Sequence, residues 1–135
     1  MQQPIQHQEC LRACRACHEA CLQGAARHLL AEEECDPLLA PRVRFLFEAA
    51  DISASTADFI HRNSALAAKM CLTCAFVCEA SARALEGAHD LDECAFLCLK
   101  CAGLCEEMSR LAHSTWVAVG EVHPHQQYLN GSHPL

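Results

Sequence analysis

Apolar residues and cysteines recur at every third or fourth position through four segments of the chain. This period is typical of α-helices that bury one face, and the alternation expected of half-buried strands is not sustained. The segments cover about residues 4–31, 38–62, 64–86 and 90–117, and a polar tail follows at 120–135. Short connections between long helices favour neighbours that run in opposite directions. We therefore expect a single-domain, all-α protein, an up-down-up-down antiparallel four-helix bundle.

The ends of these segments carry signals for helix starts and stops. Pro4 and Pro37 suit the first turns of helices 1 and 2, where a missing N–H costs no hydrogen bond. Asn63 falls at a sharp turn before helix 3, and Gly87 is placed to end that helix. Asp90, with a glutamate three residues later, resembles a capping box that opens helix 4.

Charge and hydropathy exclude several functions. The net charge of −7 and the scattered lysines and arginines argue against binding to nucleic acid or to an anionic membrane. No apolar run reaches the roughly 20 residues of a membrane span. The first nine residues show neither the basic nor the apolar region of a signal peptide. We therefore expect a cytoplasmic protein whose thiols stay reduced.

Cysteine is the unusual component of the composition, at 12 of 135 residues. Residues three and four positions apart share one face of a helix, so cysteines at such steps form a stripe. Eleven cysteines follow this rule on helices 1, 3 and 4: Cys10, Cys14, Cys17, Cys21, Cys71, Cys74, Cys78, Cys94, Cys98, Cys101 and Cys105. We expect the three stripes to converge on the core, whereas Cys35 stands apart near a loop.

The stripes also predict which cysteines meet across the core. Counting from the turns predicts three levels: Cys10 with Cys71 and Cys105, Cys17 with Cys74 and Cys98, and Cys21 with Cys78 and Cys94. Cys14 and Cys101 fall between the levels. Because each residue rises ~1.5 Å along a helix, the stripe of helix 1 spans ~16 Å of the bundle axis.

Three interpretations of this pattern compete. Cysteine is commonly a small buried hydrophobe, but alanine or valine would pack as well without the risk of oxidation. Disulfides within a stripe are strained, because side chains on one helical face point alongside each other, and they require an oxidising compartment. Metal binding remains, and it explains the repeated spacing.

The softness and geometry of the ligands indicate which metal binds. Structural zinc and iron–sulfur sites usually take their cysteines from CxxC motifs in loops or knuckles. Continuous helices instead hold sulfurs in rows, which suits Cu(I), a soft ion that accepts as few as two thiolates. Eleven cysteines would hold on the order of 5 to 11 Cu(I) ions.

At this point the chain resembles a known family, the bacterial copper storage proteins. The resemblance covers about residues 5–115 and is carried by CLRACRACHEAC, CLTCAFVC, CAFLCLKCAGLC and the helix 2–3 junction ADFIHRNSALAAKMC. It implies Cu(I) storage in the core, a homotetrameric assembly and metal uptake at one end of the bundle. The absence of a signal peptide places the chain nearer the cytosolic branch of the family.

Helix 2 departs from the family pattern. Members of the family usually carry cysteines there, but this chain has none between Cys35 and Cys71. Small residues occupy the expected inward positions instead: Ala49, Ala50, Ser53 and Ala57. We therefore expect a reduced capacity for copper.

Soft ligands also gather at one predicted end of the bundle: His7, His61, Met70, Met108 and His113. His7 and Met108 extend the cysteine stripes by one helical step, and imidazole and thioether both bind Cu(I). Because the family resemblance implies a mouth lined by such residues, we expect copper to enter here. The alternative is that the methionines are ordinary core and the histidines are solvated.

No catalytic motif is present, so we do not expect an enzyme. Two further functions stay open on the same scaffold. One is zinc or cadmium binding without copper specificity, and the other is a redox-reactive thiol protein. A reactive thiol would need a base beside it, and Cys17 next to His18 is the nearest candidate.

Overall fold

A computed structural model describes residues 4–30 and 39–119, with backbone alone for 112–119. The described residues form four long helices and one short 3-10 turn that precedes the last helix. The elements are α1 (Ile5–Leu30), α2 (Leu39–His61), α3 (Ala67–Ala84), the 3-10 turn His89–Leu91, and α4 (Asp92–Val119). None of the described helices is long and apolar enough to cross a membrane.

The four helices stand at the corners of a square. Helix α1 packs against α2 and α4, and α3 packs against the same two helices, so α1 and α3 face each other across the core. Cys10 of α1 lies next to Cys105 of α4, and Cys21 lies next to Cys98, so these two helices run in opposite directions. The expected antiparallel four-helix bundle is confirmed.

Backbone geometry at the turns accounts for the ends of α2 and α3. Asn63 adopts a left-handed φ of 55°, and the Ser64 N–H donates to the Phe59 carbonyl at 3.0 Å, which ends α2. Helix α3 begins three residues later than the predicted residue 64, because Ser64 Oγ accepts a bond from the Leu66 N–H and holds a turn there. Gly87, with φ of 84°, completes the turn that follows α3.

The predicted capping box at Asp90 is wrong. Asp90 lies in the 3-10 turn, two residues before α4 begins. Its carboxylate accepts a hydrogen bond from His28 Nε2 at 2.6 Å. The side chain therefore ties the end of α1 to the turn before α4 instead of capping α4.

Large apolar side chains close the end of the core where α3 stops and α4 starts. Leu46, Leu85 and Leu91 are fully buried there. Gly24 lets α1 approach α4 closely, because a Cβ at this position would lie 3.0 Å from Cys94 Sγ and 3.3 Å from a Leu91 methyl. This apolar layer separates the cysteines from solvent at that end.

Candidate metal centre

The eleven cysteines of the described residues are free, buried thiols. Ten of them are completely inaccessible to solvent, and Cys94 is 3% exposed. Three helices each turn one stripe of cysteines inward, so sulfur atoms line the space between the helices. The expected orientation of the stripes is confirmed.

Sulfur atoms from different helices lie within van der Waals distance of one another. Cys105 Sγ is 3.6 Å from Cys10 Sγ and 3.7 Å from Cys14 Sγ. Cys98 Sγ is 3.8 Å from Cys17 Sγ and 3.6 Å from Cys21 Sγ. The sulfurs of α1 and α4 therefore form a continuous column along the bundle axis.

Helix α3 joins this column in a different register from the one that we predicted. Cys71 lies with Cys10 and Cys105, as expected. Cys74, however, lies 3.8 Å from Cys101 and groups with Cys14 rather than with Cys17. The prediction was wrong because the three residues from Cys71 to Cys74 rise only ~4.5 Å, which is nearer the ~6 Å from Cys10 to Cys14 than the ~10.5 Å from Cys10 to Cys17.

The register of Cys78 follows from the same step. Its Sγ lies 4.0 Å from Cys17 Sγ and groups with Cys17 and Cys101, instead of with Cys21. Cys21 and Cys94 consequently lie beyond the last cysteine of α3, at the closed end of the column.

Four groups of sulfurs are compact enough to hold a metal ion, with all Sγ atoms of a group within 4.8 Å of one another. Within the described residues the groups are Cys14–Cys74–Cys101–Cys105, Cys10–Cys71–Cys105, Cys17–Cys78–Cys101 and Cys17–Cys21–Cys98. Cys17, Cys101 and Cys105 each belong to two groups. Because the groups share sulfurs, neighbouring ions can be bridged by one thiolate, which suits a soft ion of low coordination number.

One hydroxyl group enters the sulfur column from α2. Ser53 is fully buried, and its Oγ lies 3.8 Å from Cys74 Sγ, 3.7 Å from Cys78 Sγ and 4.0 Å from Cys101 Sγ. The other buried hydroxyls donate to backbone carbonyls instead, Ser81 to Val77 and Thr56 to Met70. Sequence reasoning treated Ser53 only as a small spacer, because a single inward serine carries no periodic signal.

Hydrogen bonds between thiols separate the pKa values of neighbouring cysteines. The pKa of Cys10 lies below its ordinary value because Cys105, and then Cys14, donate hydrogen bonds to its thiolate, although burial acts in the opposite direction. The pKa of Cys105 lies above its ordinary value, since it keeps its proton to bond Cys10 and Cys101 and is desolvated as well. No charged side chain is buried among the described residues. No cationic side chain of these residues is therefore inside the core to offset the negative charge of several thiolates.

These pKa shifts predict that the reduced, metal-free protein loses stability in alkaline solution. Above the ordinary thiol pKa of 9.0 the unfolded chain releases its thiol protons, while the native state keeps those whose pKa is raised. Seven of the eleven described cysteines have a raised pKa: Cys14, Cys21, Cys71, Cys78, Cys98, Cys101 and Cys105. The native state then binds more protons than the unfolded state, so stability falls as the pH rises through and above that value.

Anaerobic thermal unfolding of the reduced protein at about pH 8 and about pH 10 measures this effect. We expect a lower Tm at the higher pH. Protein incubated with Cu(I), the ion that the sequence favours, is the control, because thiolates held by a metal no longer titrate and its Tm should change less. An equal or higher Tm for the metal-free protein at the higher pH would contradict the assignment of protonated thiols.

The residues predicted to line a mouth differ in their surroundings. Met108 is buried, Met70 and His7 are half-buried, and His61 is exposed. Nδ1 of His7 is a buried atom without a hydrogen-bond partner in the described part of the chain. The side chain of His113 lies outside the described residues, as do Cys35 and the tail at 120–135.

A four-helix bundle with a core of free thiols defines a class of protein that binds soft metal ions. The family model described as copper storage protein matches residues 2–110. The chain therefore belongs to the copper storage protein family.

Two solved structures and one curated relative resemble the chain. The Cu(I)-bound copper storage protein BsCsp3 is 32% identical with a TM-score of 0.68, covering 77% of this chain and 98% of that protein. The Nmul_A1745 protein of Nitrosospira multiformis is 30% identical with a TM-score of 0.72, covering 78% of this chain and 96% of that protein. The uncharacterized cysteine-rich protein YhjQ of Bacillus subtilis (strain 168) is 32% identical over 86 residues, which is 64% of this chain and 70% of that protein.

Proposed function

We propose that this protein stores several Cu(I) ions in its sulfur column and is not an enzyme. The observation that carries the proposal is the row of buried sulfurs only 3.6 to 4.0 Å apart, drawn from three helices. Soft thiolates at such separations can bind Cu(I) in pairs or in threes. Membership of the copper storage family and the similarity to a Cu(I)-bound protein support the same function.

Charge balance links copper uptake to proton release. Each Cu(I) that binds replaces one thiol proton, so that n Cu⁺ and n R–SH give n Cu–SR and n H⁺. The buried column therefore stays close to neutral as it fills. The core contains no buried cationic side chain in the described residues, which makes the metal ion itself the counter-charge of each thiolate.

Copper enters, in this proposal, at the end formed by the start of α1 and the later part of α4. His7 precedes Cys10 by three residues and Met108 follows Cys105 by three, so both extend the stripes beyond the last cysteine. Nδ1 of His7, which has no hydrogen-bond partner among the described residues, is available as a ligand. The opposite end is closed by Leu46, Leu85 and Leu91.

The outer face of α3 and α4 supports the proposed homotetramer. Leu72, Phe76, Phe96 and Leu99 are all more than half exposed on these two helices, and Phe76 reaches 72%. Exposed apolar side chains of this size commonly mark contact surfaces. Sedimentation equilibrium tests the assembly, and a monomer at every protein concentration would contradict it.

We also propose a cytoplasmic location and a reduced capacity for copper, since α2 contributes Ser53 and alanines rather than thiols to the core.

The geometry disfavours the alternative function of a redox-reactive thiol protein. Cys17 is fully buried, and Nδ1 of His18 lies 2.8 Å from the Ala50 carbonyl oxygen of the neighbouring helix. That imidazole is engaged outside the sulfur column.

Anaerobic titration of the reduced protein with Cu(I), in the presence of a strong competing chelator, tests the proposed function. We expect on the order of 5 to 11 tightly held ions per chain, because low-coordinate thiolate sites share ligands. Protein whose thiols have been alkylated in denaturant is the control and should hold none tightly. Rapid stoichiometric oxidation by peroxide, with no tight copper uptake, would favour the redox function instead.

A further inference from the structure

We propose that Cys14, Cys74, Cys101 and Cys105 form a tetrahedral tetrathiolate site for one divalent d¹⁰ ion, Zn²⁺ or Cd²⁺, in the copper-free protein. Their Sγ atoms form the one group of four among the compact sulfur groups of the described residues. The site uses sulfurs of the proposed copper column, but it does not depend on copper binding.

The separations between these sulfurs match a tetrahedron around zinc. With Zn–S bonds of about 2.3 Å, a regular tetrahedron has S–S edges of about 3.8 Å. Cys14 Sγ lies 3.7 Å from Cys105 Sγ and 3.7 Å from Cys101 Sγ. Cys101 Sγ lies 3.8 Å from Cys74 Sγ and 4.0 Å from Cys105 Sγ. The two remaining edges are below 4.8 Å, so small side-chain rotations complete the tetrahedron.

The helices hold these four ligands in place. Helix α1 supplies Cys14, α3 supplies Cys74, and α4 supplies Cys101 and Cys105 one helical turn apart. Because all four side chains are fully buried, water does not compete for the coordination positions. The sequence favoured zinc less because its CxxC and CxxxC pairs lie on continuous helices and not in knuckles. Contacts between three helices nevertheless assemble a set of four thiols.

Nearby donors stabilise the charge of such a site. Zn²⁺ and four thiols give a complex of charge −2 and four released protons. Ser53 Oγ lies 3.8 Å from Cys74 Sγ and 4.0 Å from Cys101 Sγ, and its hydroxyl can donate to either thiolate. Once Cys105 is bound to the metal as a thiolate, the direction of its contact with Cys10 reverses, and a protonated Cys10 thiol, 3.6 Å from Cys105 Sγ, can serve as a second donor. Hydrogen bonds of this kind offset part of the cost of a buried anion.

A bound divalent ion would stabilise the core of the copper-free protein. One divalent ion would tie α1, α3 and α4 together and keep the central thiols from oxidising. Cu(I) is softer and binds at several places along the column, so it should displace the divalent ion as it loads.

Titration of the reduced, full-length protein with ¹¹³Cd²⁺, against a competing chelator and without oxygen, tests this proposal. We expect one tightly bound equivalent, a charge-transfer band from thiolate to cadmium, and a ¹¹³Cd chemical shift typical of four sulfur ligands. Cys74→Ser should weaken cadmium binding by at least about tenfold, since even outer-sphere partners of metal ligands contribute that much. Cys94→Ser is the matched control, because Cys94 belongs to none of the compact sulfur groups of the described residues, and it should bind cadmium as the wild type does.

Several results would overturn the site. These are no tight equivalent, a shift typical of nitrogen or oxygen ligands, or equal cadmium affinity in the two variants. Circular dichroism would reveal whether Cys74→Ser folds. If it does not, the ¹¹³Cd chemical shift of the wild-type protein still tests whether four sulfurs bind the ion. Cu(I) titration of the same samples separates this proposal from the storage function, because tight copper uptake without tetrathiolate cadmium binding refutes the divalent site alone.

Discussion

Replacing Cys101 with serine is expected to reduce Cu(I) capacity by about two or three ions, because one thiolate can bridge several low-coordinate ions. Cys101 Sγ lies between 3.7 and 4.0 Å from the sulfurs of Cys14, Cys74 and Cys105. It belongs to two of the compact sulfur groups, so its loss disrupts both. Counting the Cu(I) equivalents that resist a strong chelator measures the effect.

Cys94→Ser is the matched control for this experiment. Cys94 lies at the closed end, belongs to none of the compact groups of the described residues, and donates its thiol to the Ala20 carbonyl at 3.3 Å. Its replacement should remove at most about one ion. Equal losses for the two variants would show that the ions do not share sulfurs in the way that the distances indicate.

Replacing Ser53 with cysteine is expected to raise the capacity by about one Cu(I) ion, since two or three thiolates suffice for each ion. The hydroxyl already lies 3.7 to 4.0 Å from Cys74, Cys78 and Cys101, so a thiol in its place completes a new group of sulfurs. The substitution also restores a cysteine to the helix that lacks them. The same chelator-limited titration measures the gain.

Ser53→Ala separates the effect of the new thiol from the effect of losing the hydroxyl. It should not add a copper ion, and its fold should be retained because alanines already fill neighbouring inward positions such as Ala49, Ala50 and Ala57. If Ser53→Cys gained nothing over the alanine variant, the reduced capacity attributed to helix α2 would have another cause.

The bundle and its cysteine stripes could be predicted from the sequence because both follow from local periodicity. Steps of three and four residues place Cys10, Cys14, Cys17 and Cys21 on one face whatever the rest of the chain does. Glycine and asparagine signals likewise located the turns at Asn63 and Gly87, where the backbone adopts left-handed φ values. The copper storage family model matches residues 2–110, which include all eleven cysteines of the stripes.

The register between helices was not predictable in the same way. Whether Cys74 meets Cys14 or Cys17 depends on the rise of α3 beside α1, because Cys71 lies with Cys10 as predicted and the ~4.5 Å rise to Cys74 brings it beside Cys14. Asp90 was misassigned for a related reason, since its partner His28 is distant in sequence and comes near only when α1 and α4 pack. Local signals do not contain these long-range contacts.

The sequence alone did not predict which sulfurs form compact groups, because the grouping depends on the register between the helices. The group of four sulfurs forms only when Cys74 lies beside Cys14, Cys101 and Cys105. The contacts of Ser53 likewise form only when this residue of α2 lies at the same level along the bundle axis as Cys74 of α3 and Cys101 of α4. The sequence therefore predicted which residues face the core, whereas the structure was needed to show which of them lie together.

A crystal structure of protein loaded with Cu(I) under anaerobic conditions, with anomalous diffraction at the copper edge, tests the central claim most directly. We expect several anomalous peaks inside the bundle, spread along the column from Cys10 and Cys105 towards Cys21, each bonded to two or three sulfurs. Copper bound only at surface histidines, or a core whose cysteines are joined as disulfides and hold no copper, would contradict the account.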